Sequence, residues 1–294
     1  MMRLIYSLIF ASLIFVSCKE IPPAIDFTLP DLTLLDTTYV DLNIPTPQEK
    51  HVLVEELTGI ACTGCPGGHL KLEEIEDTYG DKVEVISIHP KGVFTNPQFY
   101  SQFDLDLTTD AGEDIVALFG GYGGQLPQGI VDRVVYSDQS DIKMGTASVW
   151  IVKVGEQLSA DSKVNISIEN ANYDESVKEA RVKVKLHYTE ALQDDQYLSV
   201  YLLEDSIVAP QLNGNLDGEW ESNYTHRHTL RALFSNSLGD LLNAQLEVGR
   251  VFEKEYKLVI DDSWDSHHLH VLASVHYKSD SNNVVNVRSA HIGH

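Results

Sequence analysis

Two cysteines with two residues between them, Cys62 and Cys65, stand where a strand pattern ends and a helix pattern begins. The preceding segment, residues 51–57, is a short apolar run broken by two glutamates. Pro66 suits the first turn of a helix, and apolar residues then follow at helical spacing as far as Tyr79. The sequence therefore predicts that the Cys-x-x-Cys motif lies at a strand-to-helix junction.

This position gives the motif a chemical purpose. The free N–H groups and the dipole at a helix N-terminus favour a thiolate, which is the form that attacks disulfides. We therefore predict that Cys62 is the nucleophile and that Cys65, one turn into the helix, is the resolving thiol. Two alternatives stay open. The pair could be a static disulfide in an oxidising compartment, or a metal site with His69 and, as the nearest fourth candidate, His89.

The order of the segments after the motif resembles thioredoxins. It runs through a strand pattern at 83–88, a helix pattern at 110–119, a glycine-rich loop at 120–124 and a strand pattern at 130–136. Leu126-Pro127 precedes the last of these strands. The resemblance implies that Pro127 is a cis-proline packed against the disulfide, where it orients a substrate chain.

A buried acid six residues before the first cysteine is a second feature of thioredoxins, and Glu56 has that spacing. The resemblance implies that Glu56 accepts the proton of Cys65, a role that requires burial and proximity. Because adjacent residues of a strand point to opposite faces, we expect Glu55 to face solvent and Glu56 to be partly buried. Ala61 replaces the usual tryptophan, and the intervening dipeptide is Thr63-Gly64, so the redox potential of thioredoxins cannot be transferred.

The first seventeen residues have the layout of a secretory signal. One charge, Arg3, precedes an apolar run over residues 4–16, and a small residue follows. Ser17-Cys18 resembles the end of a bacterial lipobox, which implies cleavage before Cys18, its lipidation, and anchoring to a membrane by acyl chains. The alternative is an ordinary signal with an incidental cysteine. Residues 18–48 are rich in proline and predict an extended tether with room for one short strand.

The charge of the chain bears on its partners. Lysine and arginine number 21 against 44 aspartates and glutamates, and the formal net charge is −23. Nucleic acids and anionic membrane surfaces attract the opposite sign of charge. The composition therefore predicts no nucleic-acid partner.

After residue 160 the hydrophobic pattern changes to period two. Six or more short alternating segments, separated by turn residues, predict an antiparallel β-sandwich. Four histidines of this region share strand faces and are candidates for a copper or zinc surface: His226, His228, His268 and His270. No carboxylate or thiol has a characteristic spacing to them. We therefore favour neutral histidines on a polar strand face, and predict neither a metal nor a cofactor.

Three motifs resemble one family, the twenty-eight-kilodalton outer-membrane lipoproteins of Bacteroidetes. They are Val54–Pro66, Leu126–Arg133 and Tyr224–Arg231. The resemblance implies an α/β thioredoxin-like domain at residues 49–160, followed by an all-β immunoglobulin-like sandwich domain at residues 161–294. It also implies a lipid-anchored location at the outer membrane, on the periplasmic face or the cell surface.

Two functions follow from these patterns. The first is thiol–disulfide exchange on envelope proteins, with Cys62 as nucleophile, Cys65 as resolving thiol, Glu56 as proton acceptor and Pro127 as substrate guide. The alternative is a non-catalytic surface lipoprotein that binds envelope or surface proteins and uses the thioredoxin-like domain as a scaffold. The sequence leaves open whether the protein is an enzyme.

Overall fold

The computed structural model describes residues 34–95, 106–278 and 282–293. The predicted signal peptide, residues 1–17, and the predicted lipidation site Cys18 lie outside these residues. Within the described ranges, no helix combines the length and the apolar composition needed to cross a membrane. Of the predicted tether, the structure describes only residues 34–48. A short strand, Asp36–Val40, forms there.

The first half of the described chain contains three α-helices and four strands. The helices are α1 (Cys65–Tyr79), α2 (Asp110–Leu118) and α3 (Trp150–Leu158), and the strands are β1 (Asp36–Val40), β2 (Val52–Leu57), β3 (Val83–Ile88) and β4 (Gln128–Val131). Pro66 stands in the first turn of α1, and Gly80 ends the helix with a positive φ of 62°. The hydroxyl of Thr109 caps α2 by accepting a hydrogen bond from the backbone N–H of Gly112 at 2.9 Å.

The second half consists of strands joined by turns. They are β5 (Val164–Asp174), β6 (Glu179–Tyr188), β7 (Gln196–Glu204), β8 (Ile207–Asn213), β9 (Glu219–His226), β10 (Thr229–Leu233), β11 (Asp240–Leu241), β12 (Arg250–Val259), β13 (Leu269–Tyr277) and β14 (Val284–His291). Residues with period-two alternation, as in β6, place their apolar side chains on one buried face. The β-rich fold predicted from the sequence is confirmed.

The strands form three sheets. A four-stranded sheet has the order β1-β12-β6-β5, and β8 pairs with β9 in a separate two-stranded ribbon. The largest sheet has the order β14-β13-β7-β10-β3-β2-β4, with β11 added beside β7. In it β3 and β2 run parallel, and β10 joins β3 in parallel through the pair Thr229 and Ser87. The largest sheet therefore contains strands from both sides of the predicted boundary at residues 160 and 161.

The packing is continuous across that boundary as well. Leu34–His294 form one compact unit. One apolar cluster combines Ile86 and Ile115 of the first half with Tyr201 and Leu230 of the second half. The division into domains at 49–160 and 161–294 stays a prediction, and the two segments share a sheet and part of a core.

The predicted exposure of Glu55 is wrong. Its side chain is fully buried and forms an ion pair with Arg133, whose Nε and Nη2 donate hydrogen bonds of 2.8 and 2.6 Å to the two carboxylate oxygens. Arg133 Nη2 also donates to the hydroxyl of Tyr201 on β7 at 3.1 Å. Alternation fails here because β2 lies inside the sheet and both of its faces are covered.

Candidate functional site

The two cysteines of the motif form a disulfide at the junction of β2 and α1. The S–S distance is 2.16 Å and the Cα–Cα distance is 5.4 Å. Cys65, the first residue of α1, is fully buried, and Cys62 in the turn before it is 3% exposed. The strand-to-helix position is as the sequence predicts. In this disulfide-bonded state the sulfurs are not the thiolates that would hold a metal with His69.

Pro127 packs against the first turn of α1. The peptide bond between Leu126 and Pro127 is cis. A Cβ atom added at Gly64 would lie 3.4 Å from Pro127 Cδ, and one added at Gly68 would lie 3.1 Å from Pro127 Cβ and Cγ. The two glycines therefore let the proline approach the same turn of helix that carries Cys65.

Glu56 lies against the same helix from the side of β2. Its side chain is fully buried, and neither carboxylate oxygen has a hydrogen-bond partner among the described residues. A Cβ atom added at Gly68 would lie only 2.6 Å from Glu56 Oε1, so the carboxylate occupies the space that this glycine leaves. An unsatisfied buried carboxylate is costly, and such groups are concentrated at functional sites.

His69 lies between Glu56 and β9. His69 Nε2 lies 3.3 Å from Glu56 Oε2 and 2.9 Å from the hydroxyl oxygen of Thr58. His69 Nδ1 lies 2.6 Å from the hydroxyl oxygen of Tyr224. Burial, followed by the charge of Glu56, raises the pKa of Tyr224, so its hydroxyl is protonated at neutral pH and can donate to Nδ1.

The β8–β9 ribbon covers the cysteine turn. The backbone N–H of Leu212 donates to the carbonyl oxygen of Ile60 at 2.7 Å, and that of Gly214 donates to the carbonyl oxygen of Thr63 at 2.9 Å. The side-chain Nε2 of Gln211 donates to the carbonyl oxygen of Cys62 at 3.2 Å. These contacts hold the ribbon against the turn that carries Cys62.

Sequence reasoning identifies some members of this site and misses others. Glu56 of β2 and Pro127 before β4 both lie against the first turns of α1, the helix that begins with Cys65. Tyr224 was visible only as the first residue of a dense motif. The contacts of Gln211 and Gly214 had no local signal, because they arise from segments about 150 positions away in the chain, as for the bond between Gln211 and Cys62.

The four histidine candidates separate into three places. His228 and His270 come together beside Asp205, each with a ring nitrogen within 3.6 Å of its carboxylate. His226 is buried next to His89, with ring centroids 6.1 Å apart, and burial lowers its pKa to about 4. His268 is exposed and lies 3.5 Å from another carboxylate, that of Asp265. No spacing rule pointed to Asp205.

Comparisons with known proteins bear on the family. The family model described as Outer membrane protein Omp28 matches residues 120–294. No curated protein matches the sequence. Among solved structures, HBP35 of Porphyromonas gingivalis superposes with a TM-score of 0.63 at 20% sequence identity, covering 84% of this chain and 77% of that chain. This likeness shows a common fold.

Two further solved structures have low scores. The Pseudomonas fluorescens alkylpurine DNA glycosylase AlkC, bound to DNA with an abasic site analog, has a TM-score of 0.22 at 10% identity, covering 49% of this chain and 34% of that one. A β-glucosidase from Kluyveromyces marxianus has a TM-score of 0.21 at 12% identity, covering 46% of this chain and 14% of that one. Neither likeness carries an argument about this chain.

Proposed function

We propose, from the premise that this chain belongs to the Omp28 family of outer membrane proteins, that it carries out thiol–disulfide exchange on proteins of the cell envelope. The proposal includes a lipid anchor at Cys18, a thioredoxin-like first domain and an immunoglobulin-like second domain. The observation that carries it is the Cys62–Cys65 disulfide at the N-terminus of α1, with a cis-proline packed on the same helical turn.

The exchange reaction starts from the disulfide-bonded state. A thiolate of the substrate protein attacks Cys62 Sγ, the bond to Cys65 breaks, and Cys65 leaves as a thiolate that takes up one proton. A second substrate thiolate then attacks the mixed disulfide and Cys62 leaves. The substrate gains a disulfide and the motif gains two electrons. The reverse sequence reduces a substrate disulfide.

The buried groups beside α1 support the movement of that proton. Glu56 lies against Gly68, three positions after Cys65 in the same helix. His69, 3.3 Å from Glu56, is partly exposed and links it to the hydroxyl of Tyr224. The chain of groups gives a buried proton acceptor a route toward solvent, which a general acid or base in a closed site requires.

A second candidate function is favoured by the burial of Cys62. At 3% exposure, under the β8–β9 ribbon, the disulfide is as inaccessible as a structural one. The protein would then be a surface lipoprotein that binds envelope or surface proteins through its β-rich half. Exchange requires the ribbon to open, whereas a binding scaffold requires it to stay closed.

The reduction potential of the Cys62–Cys65 pair separates the two functions. It is measured by equilibrating the protein with glutathione or dithiothreitol buffers and trapping free thiols. A value of roughly −120 to −270 mV, the range of known exchangers, supports exchange, and a value below about −300 mV identifies a structural disulfide. Cys65→Ser should trap a mixed disulfide on Cys62, and Cys62→Ser should abolish exchange.

A variant of the predicted lipidation site tests the membrane anchor separately from the exchange reaction. Cys18→Ser should release the protein from the membrane fraction and leave the reduction potential unchanged. Protease treatment of intact cells then shows which face of the outer membrane carries the protein. Surface exposure combined with a potential below about −300 mV would favour the binding function.

A further inference from the structure

A second cluster of polar side chains lies at the ends of neighbouring strands of the large sheet, beside α1. Asp205 follows β7, His228 lies between β9 and β10, and His270 belongs to β13. Glu76 of α1 borders the cluster, eleven residues after Cys65, which is about 16 Å along the helix axis at 1.5 Å per residue. The cluster is therefore separate from the disulfide, and its function does not depend on redox activity.

The spacing of the cluster fits a bound transition-metal ion. One ligand atom from each of Asp205, His228 and His270 lies within 4.8 Å of the others. His270 Nδ1 is 3.4 Å from Asp205 Oδ2, and His228 Nδ1 is 3.6 Å from Asp205 Oδ1. Two atoms that each lie about 2.1 Å from a tetrahedral zinc ion are about 3.4 Å apart. Little movement is needed to bring the three groups onto one ion.

One ring nitrogen here is buried without a hydrogen bond. It is Nδ1 of His270, which has no hydrogen-bond partner in the part of the chain that the structure describes. His270 is only 8% exposed, and its free Nδ1 is directed at Asp205. A buried polar atom without a partner is costly, and a metal ion would satisfy it.

The surroundings hold the histidines in position. His228 Nε2 lies 3.0 Å from Glu76 Oε1, so a proton on Nε2 leaves the lone pair of Nδ1 on the side of Asp205. The backbone N–H of His228 donates to Asp205 Oδ1 at 2.7 Å, which leaves Oδ2 available as a ligand. His228 also has a φ of 53°, a left-handed conformation that few non-glycine residues adopt, in the turn between β9 and β10.

We propose that Asp205, His228 and His270 bind one divalent transition-metal ion, with zinc as the best match. Imidazole nitrogens and a carboxylate suit zinc, whereas magnesium and calcium prefer oxygen ligands. The three groups, with Glu76, Glu84 and His291, line a surface cavity of about 250 Å³, so an ion can enter and retain an open coordination position. The ion would join β7, β13 and the segment before β10, which all belong to the second half of the chain.

Isothermal titration of the full, disulfide-bonded chain with zinc chloride tests the proposal. The disulfide keeps Cys62 and Cys65 from competing for zinc. We expect one zinc ion per chain and a micromolar or lower dissociation constant, with no heat from magnesium chloride. Asp205→Asn, which retains the oxygen that accepts from His228, and His270→Gln should each weaken binding about tenfold or more.

His268→Gln is the matched control, because His268 lies two residues before His270 but contacts Asp265. It should bind zinc within about threefold of the parent chain. If a variant fails to fold, the visible absorption of cobalt bound to the parent chain, and its displacement by zinc, report nitrogen and oxygen ligation directly. Absence of zinc binding at ten micromolar protein, or equal binding by a folded Asp205→Asn chain, would overturn the proposal.

Discussion

Replacement of Arg133 by methionine should destabilise both halves of the protein together. Arg133 is 2% exposed and Glu55 is fully buried, and the pair is bidentate at 2.6 and 2.8 Å. Without the guanidinium, Glu55 remains as an uncompensated buried charge, which costs about 3–5 kcal/mol. The hydroxyl of Tyr201 also loses its hydrogen bond from Arg133, at a further cost of about 1 kcal/mol. We expect the free energy of unfolding to fall by about 4–6 kcal/mol.

Urea denaturation of the chain from Leu34 onward, followed by circular dichroism and by tryptophan fluorescence, measures this loss. The double variant Glu55→Leu with Arg133→Met is the matched control, because an apolar pair of similar volume often replaces a buried ion pair without loss. It should recover most of the stability, with a coupling energy of at least about 2 kcal/mol in the double-mutant cycle. Because the hydrogen bond from Arg133 to Tyr201 and the large sheet connect the two halves, both probes should report one transition.

Two outcomes would refute this reasoning. A loss of less than about 1 kcal/mol in the Arg133→Met variant would mean that Glu55 reaches water or is protonated at little cost. Two separate transitions in the parent chain would mean that residues on either side of position 160 fold independently and that the shared sheet adds little to stability.

Further predictions concern acid stability and access to the disulfide. Burial, followed by the charge of Arg133, lowers the pKa of His276 to about 3. The unfolded chain therefore binds one more proton between about pH 6.5 and pH 3. As the pH is lowered through this window, the free energy of unfolding should decrease by up to about 1.4 kcal/mol per pH unit. His276→Gln should flatten that slope, and urea denaturation at several pH values checks it; an unchanged slope would contradict the assignment. A Cβ atom at Gly214 would lie 2.6 Å from the carbonyl oxygen of Thr63, so Gly214→Ala should lift the ribbon and speed dithiothreitol reduction of Cys62–Cys65 about tenfold. Gly67→Ala, where a Cβ meets nothing within 4 Å, should leave the rate unchanged, and equal rates in both variants would show that the ribbon does not control access.

Local patterns predict the parts of this structure that depend on neighbouring residues. The Cys-x-x-Cys motif, Pro66 and the apolar stripe of α1 lie within one short segment, so spacing alone places them at a helix start. Period-two alternation likewise finds the strands of the second half. The proline before β4 is correctly expected to be cis because its position relative to the motif resembles thioredoxins.

Long-range contacts explain the predictions that are wrong or missing. Alternation places Glu55 in solvent because it assumes one wet face, whereas Arg133, 78 positions later, folds onto that face. The ribbon over Cys62 comes from residues beyond position 206, and its contacts are mainly backbone hydrogen bonds, which leave no side-chain pattern. Asp205 joins His228 and His270 only because β7 lies between β10 and β13 in the large sheet.

The segment Tyr224–Arg231 connects these observations, because its alternate residues each contact a different part of the molecule. Tyr224 bonds to His69 beside Glu56, and His228 lies between Glu76 of the first half and Asp205 of the second. The carbonyl oxygen of His228 accepts from the backbone N–H of Ser87, the bond through which β10 joins β3. A zinc ion on His228 would therefore hold the segment in place. Because the segment begins at Tyr224 in β9, the ion would also hold the ribbon that covers Cys62. If the protein both binds zinc at this site and carries out exchange, zinc should slow reduction of the Cys62–Cys65 disulfide in the parent chain. It should leave the rate of reduction unchanged in the Asp205→Asn variant.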